Sequence, residues 1–301
     1  MPDPVSEPAF TASDTALAFE GGGYRGSYTA GMANLLLEKG VSFPFVCGIS
    51  AGASHAIDFL SRDRWRVKAA FTMLPERIPE SGGVRSMLGG HGYYNAEYDY
   101  WGCVVDGFIP FDWEAFASNP AEMCIQSLAA ETGESVRWYR KDMTDMRALF
   151  DRVRASSTVP GFMHPIEIDG HTMVDGGLGV GAGIPVRLAE DAGYERILFV
   201  ATRVEGYRKR MPTAAEKAIY RALARGREPY FEALVTRNER YNAEMEHVEE
   251  LERQGRALVI RPDVMPVKST TIKTPELLRS YEMGCEQALR DWPRVEEYLF
   301  G

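Results

Sequence analysis

The clearest structural signal in the chain lies in residues 43–60, which read FPFVCGISAGASHAIDFL. The apolar run 43–47 is typical of a buried strand, and residues 51–60 are typical of a helix. Between them stands a G-x-S-x-G match made by Gly48, Ser50 and Gly52. A nucleophile elbow needs this strand–turn–helix setting, so we expect the Ser50 hydroxyl to project above a sheet. The helix N-terminus there favours a developing oxyanion.

A second glycine-rich turn lies upstream, in residues 20–26, which read EGGGYRG after the apolar residues 16–19. The turn matches the G-x-G-x-x-G pattern of a dinucleotide site. That site also needs an acidic residue about 20 positions further on, and the strand 43–47 ends without one, which disfavours it. Two interpretations stay open. Either backbone N–H groups of the loop point at a substrate oxyanion, or the glycines only make a tight turn.

A serine nucleophile needs a base, and the histidines do not supply one. In an α/β-hydrolase the chain order is serine, acid, histidine. His247 has the right order, but its context EMEHVEELER is typical of a solvated helix, and neither His55 nor His171 offers a clear case. What remains is Asp175, which ends a strand before two glycines. Its carboxylate is expected at the rim of the sheet, where α/β folds gather catalytic groups, unless it only caps the loop that follows.

The rest of the chain alternates strands and helices, which predicts a parallel sheet covered by helices. A hairpin is predicted from the strands 166–168 and 171–174, which flank an Asp-Gly turn. Further helices are predicted at 28–38, 145–154, 184–192, 213–226, 228–253 and 275–299, and further strands at 196–202 and 257–260. Because no repeat or linker interrupts the pattern, one α/β domain over residues 1–301 is the simplest interpretation.

Three motifs in this order resemble the patatin-like phospholipase family: EGGGYRG at 20–26, GISAG at 48–52 and DGG at 175–177. The small-residue and proline segment 155–162 is also similar to that family, and the resemblance covers about residues 15–203. It implies an α/β fold of three layers, an α/β/α sandwich with a mostly parallel central sheet. The remaining residues, 204–301, are then expected to form a helical C-terminal part of the same domain.

The resemblance also implies a role for each matching residue. Ser50 would be the nucleophile and Asp175 its partner in a Ser–Asp dyad, which explains why no histidine fits. The oxyanion hole would be donated by Gly21, Gly22 and Gly23, with Arg25 in the same loop. Because an ordinary Asp, with a pKa of about 3.9, is a weak base for a hydroxyl, burial that raises its pKa would help.

Composition limits the remaining possibilities. The 301 residues are 45% hydrophobic and 26% charged, which is typical of a globular protein. A net charge of −9 disfavours nucleic acid as a partner. We expect no signal peptide and no membrane-spanning segment, and four cysteines without metal spacing predict reduced thiols in a cytoplasmic protein. Neither a metal nor another cofactor is expected.

The expected function is hydrolysis of lipid acyl esters, of phospholipase A or lysophospholipase type, through an acyl-enzyme. The alternatives are a broad carboxylesterase acting on soluble esters and a non-catalytic protein that binds an anionic ligand. The aromatic-rich segment 91–116 either covers acyl chains or packs as an ordinary insertion. The segment 203–227, with eight Lys or Arg and two Glu, either meets lipid headgroups in a transient membrane contact or is a solvated helix face. Arg25 either meets a phosphate or braces its loop.

Overall fold

The structure is a computed structural model that describes residues 10–301. The expectation about a signal peptide depends largely on residues 1–9, which lie outside the described residues.

The strands are β1 Phe10–Thr11, β2 Thr15–Phe19, β3 Val41–Ser42, β4 Phe45–Ile49, β5 Glu122–Ala129, β6 Ser135–Tyr139, β7 Ile166–Ile168, β8 His171–Val174, β9 Arg196–Val200 and β10 Ala257–Ile260. The α-helices are α1 Gly26–Glu38, α2 Ala51–Leu60, α3 Arg64–Thr72, α4 Val84–Leu88, α5 Cys103–Val105, α6 Trp113–Ser118, α7 Met146–Ser157, α8 Val186–Asp191, α9 Ala214–Ala224, α10 Glu228–Arg253 and α11 Thr274–Phe300.

The central sheet has eight strands in the order β10-β9-β2-β4-β5-β8-β7, with β6 also paired to β5. From β10 to β5 all neighbours are parallel, whereas β6, β7 and β8 form antiparallel pairs. Parallel strands leave their carboxyl ends at one edge, so the ends of β2 and β4 lie side by side there. This edge carries both glycine-rich turns.

Helices cover both faces of the sheet and bury its apolar side chains. One face packs against α1, α2, α3, α7 and α11, and the other packs against α8 and α10. Within β2 the side chains alternate, with Leu17 and Phe19 toward the first layer and Ala16 and Ala18 toward the second. Burial on both faces explains why the strand is apolar throughout. The predicted three-layer α/β/α sandwich is confirmed.

Most of the predicted elements are present with ends shifted by a few residues, and the hairpin has the predicted two-residue turn, with φ of 53° at Asp169 and 79° at Gly170. The sequence patterns do not predict β5, β6 or α3. In β5 the polar residues Gln126 and Ser127 are fully buried, and they interrupt the apolar run that would have marked a strand. Segment 91–116 forms α5, α6 and a π-helical turn at Tyr98–Gly102.

Candidate active site

Ser50 lies on a sharp turn between β4 and α2, with φ of 58° and ψ of −124°. A non-glycine residue at positive φ is strained, and such strain collects at functional sites. Close packing makes the flanking glycines necessary. A Cβ on Gly48 would lie 2.0 Å from the carbonyl oxygen of Gly52, and a Cβ on Gly52 would lie 1.9 Å from that of Phe19. The G-x-S-x-G match therefore has the geometry of a nucleophile elbow.

The Ser50 hydroxyl is hydrogen-bonded to a carboxylate from a distant part of the chain. Its Oγ donates to Asp175 Oδ2 at 2.8 Å. The register of the sheet explains why these two side chains meet. The last residue of β4 pairs with Gln126 of β5, and the last residue of β8 pairs with Leu128 of β5. The residues that follow those two strands therefore stand on either side of β5, level with Ser127.

Asp175 reaches this edge from the opposite direction to Ser50. β8 runs antiparallel to β5, so its carboxyl end comes back toward the edge at which β4 ends. The prediction that Asp175 follows a strand is correct, but the strand is not one of the parallel set. The antiparallel pairing of β8 with β5 therefore places the Asp175 carboxylate beside Ser50.

The Asp175 carboxylate uses its two oxygens for two purposes. Oδ2 accepts the Ser50 hydroxyl, and Oδ1 accepts the Gly177 N–H at 2.7 Å, which caps the short helical turn Gly176–Leu178. The Asp175 carboxylate therefore caps this turn and accepts the Ser50 hydroxyl at the same time. Burial raises the pKa of Asp175, while Arg237 and the two donated hydrogen bonds act against that rise.

Ser156 holds the backbone of the elbow in place. Its Oγ accepts the Ser50 N–H at 2.9 Å, and the side chain is fully buried in the last turn of α7. The sequence singles out Ser156 only as part of the segment 155–162 and assigns it no role. Because this hydroxyl accepts the backbone N–H of Ser50, Ser156 supports the strained, positive-φ conformation of Ser50.

The glycine loop packs directly against the elbow. A Cβ on Gly21 would lie 2.9 Å from the Ile49 carbonyl oxygen and 3.2 Å from Ser50 Cβ. However, the Gly21 N–H already donates to the Gly183 carbonyl at 2.9 Å, so the expected set of oxyanion donors narrows to Gly22 and Gly23. The N–H groups of those two residues donate to no acceptor in the described chain.

Arg25, from the same loop, is about nine-tenths buried and lines a polar cavity with Glu20. Burial and the neighbouring Arg203 lower its pKa to about 10, so it stays cationic at neutral pH. Glu20 is held by two other groups. Its Oε1 accepts the Tyr241 hydroxyl at 2.8 Å, and its Oε2 accepts the Thr202 N–H at 2.5 Å.

An apolar cavity of about 810 Å³, its mouth included, runs from Ser50 between α2, α3 and α7. Its apolar lining includes Ile57, Ala70, Phe71, Leu74, Ile109, Phe150 and Val153. The aromatic-rich segment 91–116 contributes Tyr94, Tyr100 and Cys103 to the same wall. That segment therefore lines the cavity beside the serine.

The histidines take no part in this site. His55 is buried in α2, where its Nε2 lies 2.8 Å from Thr29 Oγ1, and burial lowers its pKa to about 3. His247 is partly exposed on α10, where its Nε2 lies 2.8 Å from Glu190 Oε2. Within residues 10–301, no group of three or more His, Cys, Asp or Glu side chains could hold a metal ion. No helix in that range has both the length and the apolar character needed to cross a bilayer.

The patatin-like phospholipase family model matches residues 17–189, and a domain of unknown function (DUF6363) matches residues 228–300. The uncharacterized protein YjjU of Escherichia coli (strain K12) is 26% identical over 213 residues, which cover 66% of this chain and 55% of that protein. The uncharacterized NTE family protein Rv1063c of Mycobacterium tuberculosis (strain H37Rv) is 28% identical over 196 residues, 64% of this chain and 49% of that protein.

The chain thus spans about half the length of these relatives. Among solved structures, VipD from Legionella pneumophila aligns with a TM-score of 0.46 and 13% identity, covering 92% of this chain and 66% of that one.

Proposed function

Because the chain belongs to the patatin-like phospholipase family, we propose that it is a serine acyl hydrolase of lipid esters, with Ser50 as nucleophile and Asp175 as base. The observation that carries the proposal is the 2.8 Å hydrogen bond from Ser50 Oγ to Asp175 Oδ2. A nucleophile within hydrogen-bond reach of a base, with that base oriented by a third group, is the arrangement of covalent catalysis. Here the Gly177 N–H orients the carboxylate through Oδ1.

Acylation begins when Ser50 Oγ attacks the ester carbonyl carbon and its proton passes to Asp175 Oδ2. The carbonyl oxygen becomes an oxyanion, for which the free N–H groups of Gly22 and Gly23 are the proposed donors. Collapse of this intermediate breaks the ester C–O bond, and Asp175 returns the proton to the leaving alcohol. The acyl group is then an ester of Ser50.

Deacylation repeats these steps with water in place of the serine. Asp175 accepts a proton from water, the hydroxide attacks the acyl carbon, and the proton returns to Ser50 Oγ as the fatty acid leaves. Burial of Asp175 supports its role as base in both halves, because a raised pKa brings the carboxylate closer to the proton affinity that general-base catalysis needs. An oxyanion donor of this kind contributes about 2.7–4 kcal/mol.

The apolar cavity supports a lipid acyl chain as the group transferred to Ser50. It begins at the serine, and Ile57 from α2 and Phe150 and Val153 from α7 give its wall apolar surface beside a smaller number of polar side chains. A long acyl chain that leaves water for this cavity gains about 0.8 kcal/mol for each buried methylene group. The acyl group of a short soluble ester would fill little of this cavity and gain little from it, so the cavity favours a lipid hydrolase over the alternative, a broad carboxylesterase.

Four exposed apolar side chains between residues 78 and 88 support a transient membrane contact. They form what we call the apolar rim: Ile78, Val84, Met87 and Leu88. The rim lies on a segment that is bonded to the cavity wall at Tyr94. The Gly83 N–H donates to the Tyr93 carbonyl, and Gly82 forms a β-bridge with Tyr94, which lines the cavity. With a net charge of −9, the protein would gain little from an anionic membrane, so the proposed contact is local and apolar.

A fluorophosphonate probe tests the nucleophile. We expect the wild-type protein to be labelled and Ser50→Ala to be unlabelled and inactive on p-nitrophenyl butyrate. Ser118→Ala is the matched control, since Ser118 is exposed on α6, and it should label like wild type. Labelling that persists in Ser50→Ala would rule out Ser50, and a folded wild type that never labels would favour a non-catalytic protein that binds an anion.

A second measurement separates the lipid hydrolase from the carboxylesterase. Long-chain phospholipid in vesicles and a short soluble ester are compared at equal enzyme concentration. The lipid hydrolase should show a higher kcat/KM on the lipid. A higher value on the short ester would favour the alternative.

A further inference from the structure

The polar cavity that contains Arg25 and Glu20 also reaches Ser50, and positively charged side chains line it. Its four basic side chains come from three parts of the chain: Arg25 from the glycine loop, Arg203 and Lys209 from the connection between β9 and α9, and Arg237 from α10. We call it the cationic cavity. It shares Ser50 and Tyr94 with the apolar cavity, so one extended ligand that passes Ser50 could occupy both.

The four cations have no ion-pair partner in the part of the chain that the structure describes. The cavity wall does hold two carboxylates, but both are committed to other groups. Glu20 accepts hydrogen bonds from a tyrosine hydroxyl and a backbone N–H, and Asp175 accepts them from Ser50 and a backbone N–H. With all six groups charged, the lining is positive by two, although the whole chain is acidic.

The residues on either side of Lys209 in the sequence do form ion pairs. Arg208 is paired with Glu249 at 2.8 Å, and Arg210 is paired with Glu216 at 2.6 Å. Both of these arginines are therefore satisfied on the surface of the protein. Lys209, between them, turns into the cavity instead, where no carboxylate lies within ion-pair distance.

Aromatic rings support two of the cations without neutralising them. Lys209 Nζ lies 4.1 Å from the centre of the Tyr241 ring, and the Arg203 guanidinium carbon lies 4.0 Å from that of Tyr207. A ring face attracts a cation but accepts no ordinary N–H hydrogen bond of the kind that a carboxylate or phosphate accepts. The rings thus hold these side chains in place while the positive charge remains.

A buried cation without an anionic partner raises the free energy of the folded protein, because the charge has left water and nothing replaces that interaction. Arg25 is about nine-tenths buried, and its Nε has no hydrogen-bond partner in the described chain. Burial, together with the nearby Arg237, lowers the pKa of Lys209 below its usual range. An anion bound among these side chains would offset this desolvation cost and favour the charged form of Lys209.

We propose that the cationic cavity binds the phosphate of the substrate's headgroup and so selects acyl esters whose headgroup carries a net negative charge. This inference rests on the proposed function, since it places the acyl chain in the apolar cavity, the ester at Ser50 and the headgroup among Arg25, Arg203 and Lys209. Guanidinium groups hold phosphate oxygens through paired hydrogen bonds. A choline or ethanolamine headgroup would bring a further positive charge into the same space, which disfavours it.

The test compares three substrates that carry the same acyl chain in the same neutral micelles: lysophosphatidic acid, lysophosphatidylcholine and monoacylglycerol. We expect wild type to give its highest kcat/KM on lysophosphatidic acid. In Arg203→Gln and Lys209→Gln, the ratio of kcat/KM for lysophosphatidic acid to that for monoacylglycerol should fall at least tenfold. The matched controls Arg208→Gln and Arg210→Gln remove surface cations from the same segment and should leave the ratio at its wild-type value.

Either of two kinetic outcomes would overturn the proposal. One is a wild type that turns over all three substrates equally. The other is an equal loss on all three substrates in the cavity variants, which would mean that the cations only support the fold. Failure of the proposed function is a different result, because then no ester is turned over and Ser50 is not labelled.

A binding measurement needs no turnover and separates a lipid headgroup from a free anion. Ser50→Ala protein is titrated with inorganic phosphate and with lysophosphatidic acid by calorimetry. We expect both to bind, the lipid at least tenfold more tightly, and both to bind more weakly when Arg203→Gln is added. Equal affinities would identify a free-anion site and overturn the headgroup assignment, and so would a protein that binds neither the phosphate nor the lipid.

Discussion

Ser50 and Asp175 are 125 positions apart in sequence, yet their side chains meet at 2.8 Å across β5. Neither residue belongs to β5 itself. The strand acts as a spacer that sets the level at which β4 ends on one side and β8 ends on the other. Because the register on both sides is fixed by backbone hydrogen bonds, the serine and the carboxylate are held in position before any substrate binds.

The buried carboxylate should lower the stability of the protein at neutral pH. The pKa of Asp175 is raised in the folded state, so the native protein binds this proton more tightly than the unfolded chain does. Its stabilising contribution is complete below the unfolded pKa of about 3.9 and is lost as pH rises through the folded value. In Asp175→Asn the side chain cannot ionise, so this loss does not occur. The variant should unfold at a higher urea concentration than wild type at pH 7, and it should be inactive on esters.

At pH 7, the free energy of unfolding of Asp175→Asn should exceed that of wild type by about 1.4 kcal/mol for each unit by which folding raises the Asp175 pKa. It should shrink as pH is lowered toward the ordinary pKa of an aspartate, because both side chains are then largely neutral. Urea denaturation at a series of pH values measures it. A wild type that is the more stable protein at pH 7 would contradict the assignment.

Loss of the Ser156 hydroxyl should impair catalysis through the elbow. In Ser156→Ala the Ser50 N–H loses its acceptor, and the strained turn relaxes away from Asp175. We expect kcat/KM to fall about tenfold, which equals about 1.4 kcal/mol. Ser61→Ala is the control, since Ser61 is also buried and its hydroxyl bonds the Asp58 carbonyl at the far end of α2. Equal losses of activity in both variants would point to general destabilisation instead.

A larger side chain in the apolar cavity should shorten the acyl chain that the protein accepts. Ala70 lines the cavity from α3 and is only half-buried, so Ala70→Phe can project into the space without displacing the core. The ratio of kcat/KM for p-nitrophenyl palmitate to that for p-nitrophenyl butyrate should fall at least tenfold, since several methylene groups, about 0.8 kcal/mol each, stay in water. An unchanged ratio would mean that the acyl chain lies elsewhere.

A charge on the apolar rim should weaken activity on membranes only. Leu88 is 80% exposed on α4. Leu88→Glu should lower activity on phospholipid vesicles several-fold, because the carboxylate resists entry into the membrane interface, and should leave hydrolysis of p-nitrophenyl butyrate unchanged. Leu289→Glu is the matched control, since Leu289 is 60% exposed on α11, away from the rim, and it should alter neither rate. Equal losses on vesicles in both variants would contradict a membrane contact at the rim.

Much of the candidate site could be predicted from short stretches of sequence. The elbow is recognisable because glycines must flank a serine where a strand turns sharply into a helix, and the observed contacts of Gly48 and Gly52 have that cause. Asp175 is recognisable because a carboxylate before two glycines at a strand end suits a tight loop. These signals are local, since backbone sterics and side-chain burial over a few residues are enough to produce them.

Other features could not be predicted because they depend on which segments meet. β5 carries the buried polar residues Gln126 and Ser127, whose donor groups find acceptors only in the folded protein. The Gln126 side chain donates to the Gly176 carbonyl, and the Ser127 hydroxyl donates to the Val174 carbonyl. The occupied Gly21 N–H likewise depends on a carbonyl from another turn.

The sequence by itself determined the three motifs, their order and the alternation of strands and helices, because each follows from local conformational and hydrophobic preferences. Only the tertiary structure decided that Ser50 meets Asp175 across β5, that Ser156 holds the elbow, and that cations from distant segments line one cavity. The physical reason is that hydrogen bonds and charge interactions act over a few ångströms in space, whatever the separation of their partners along the chain.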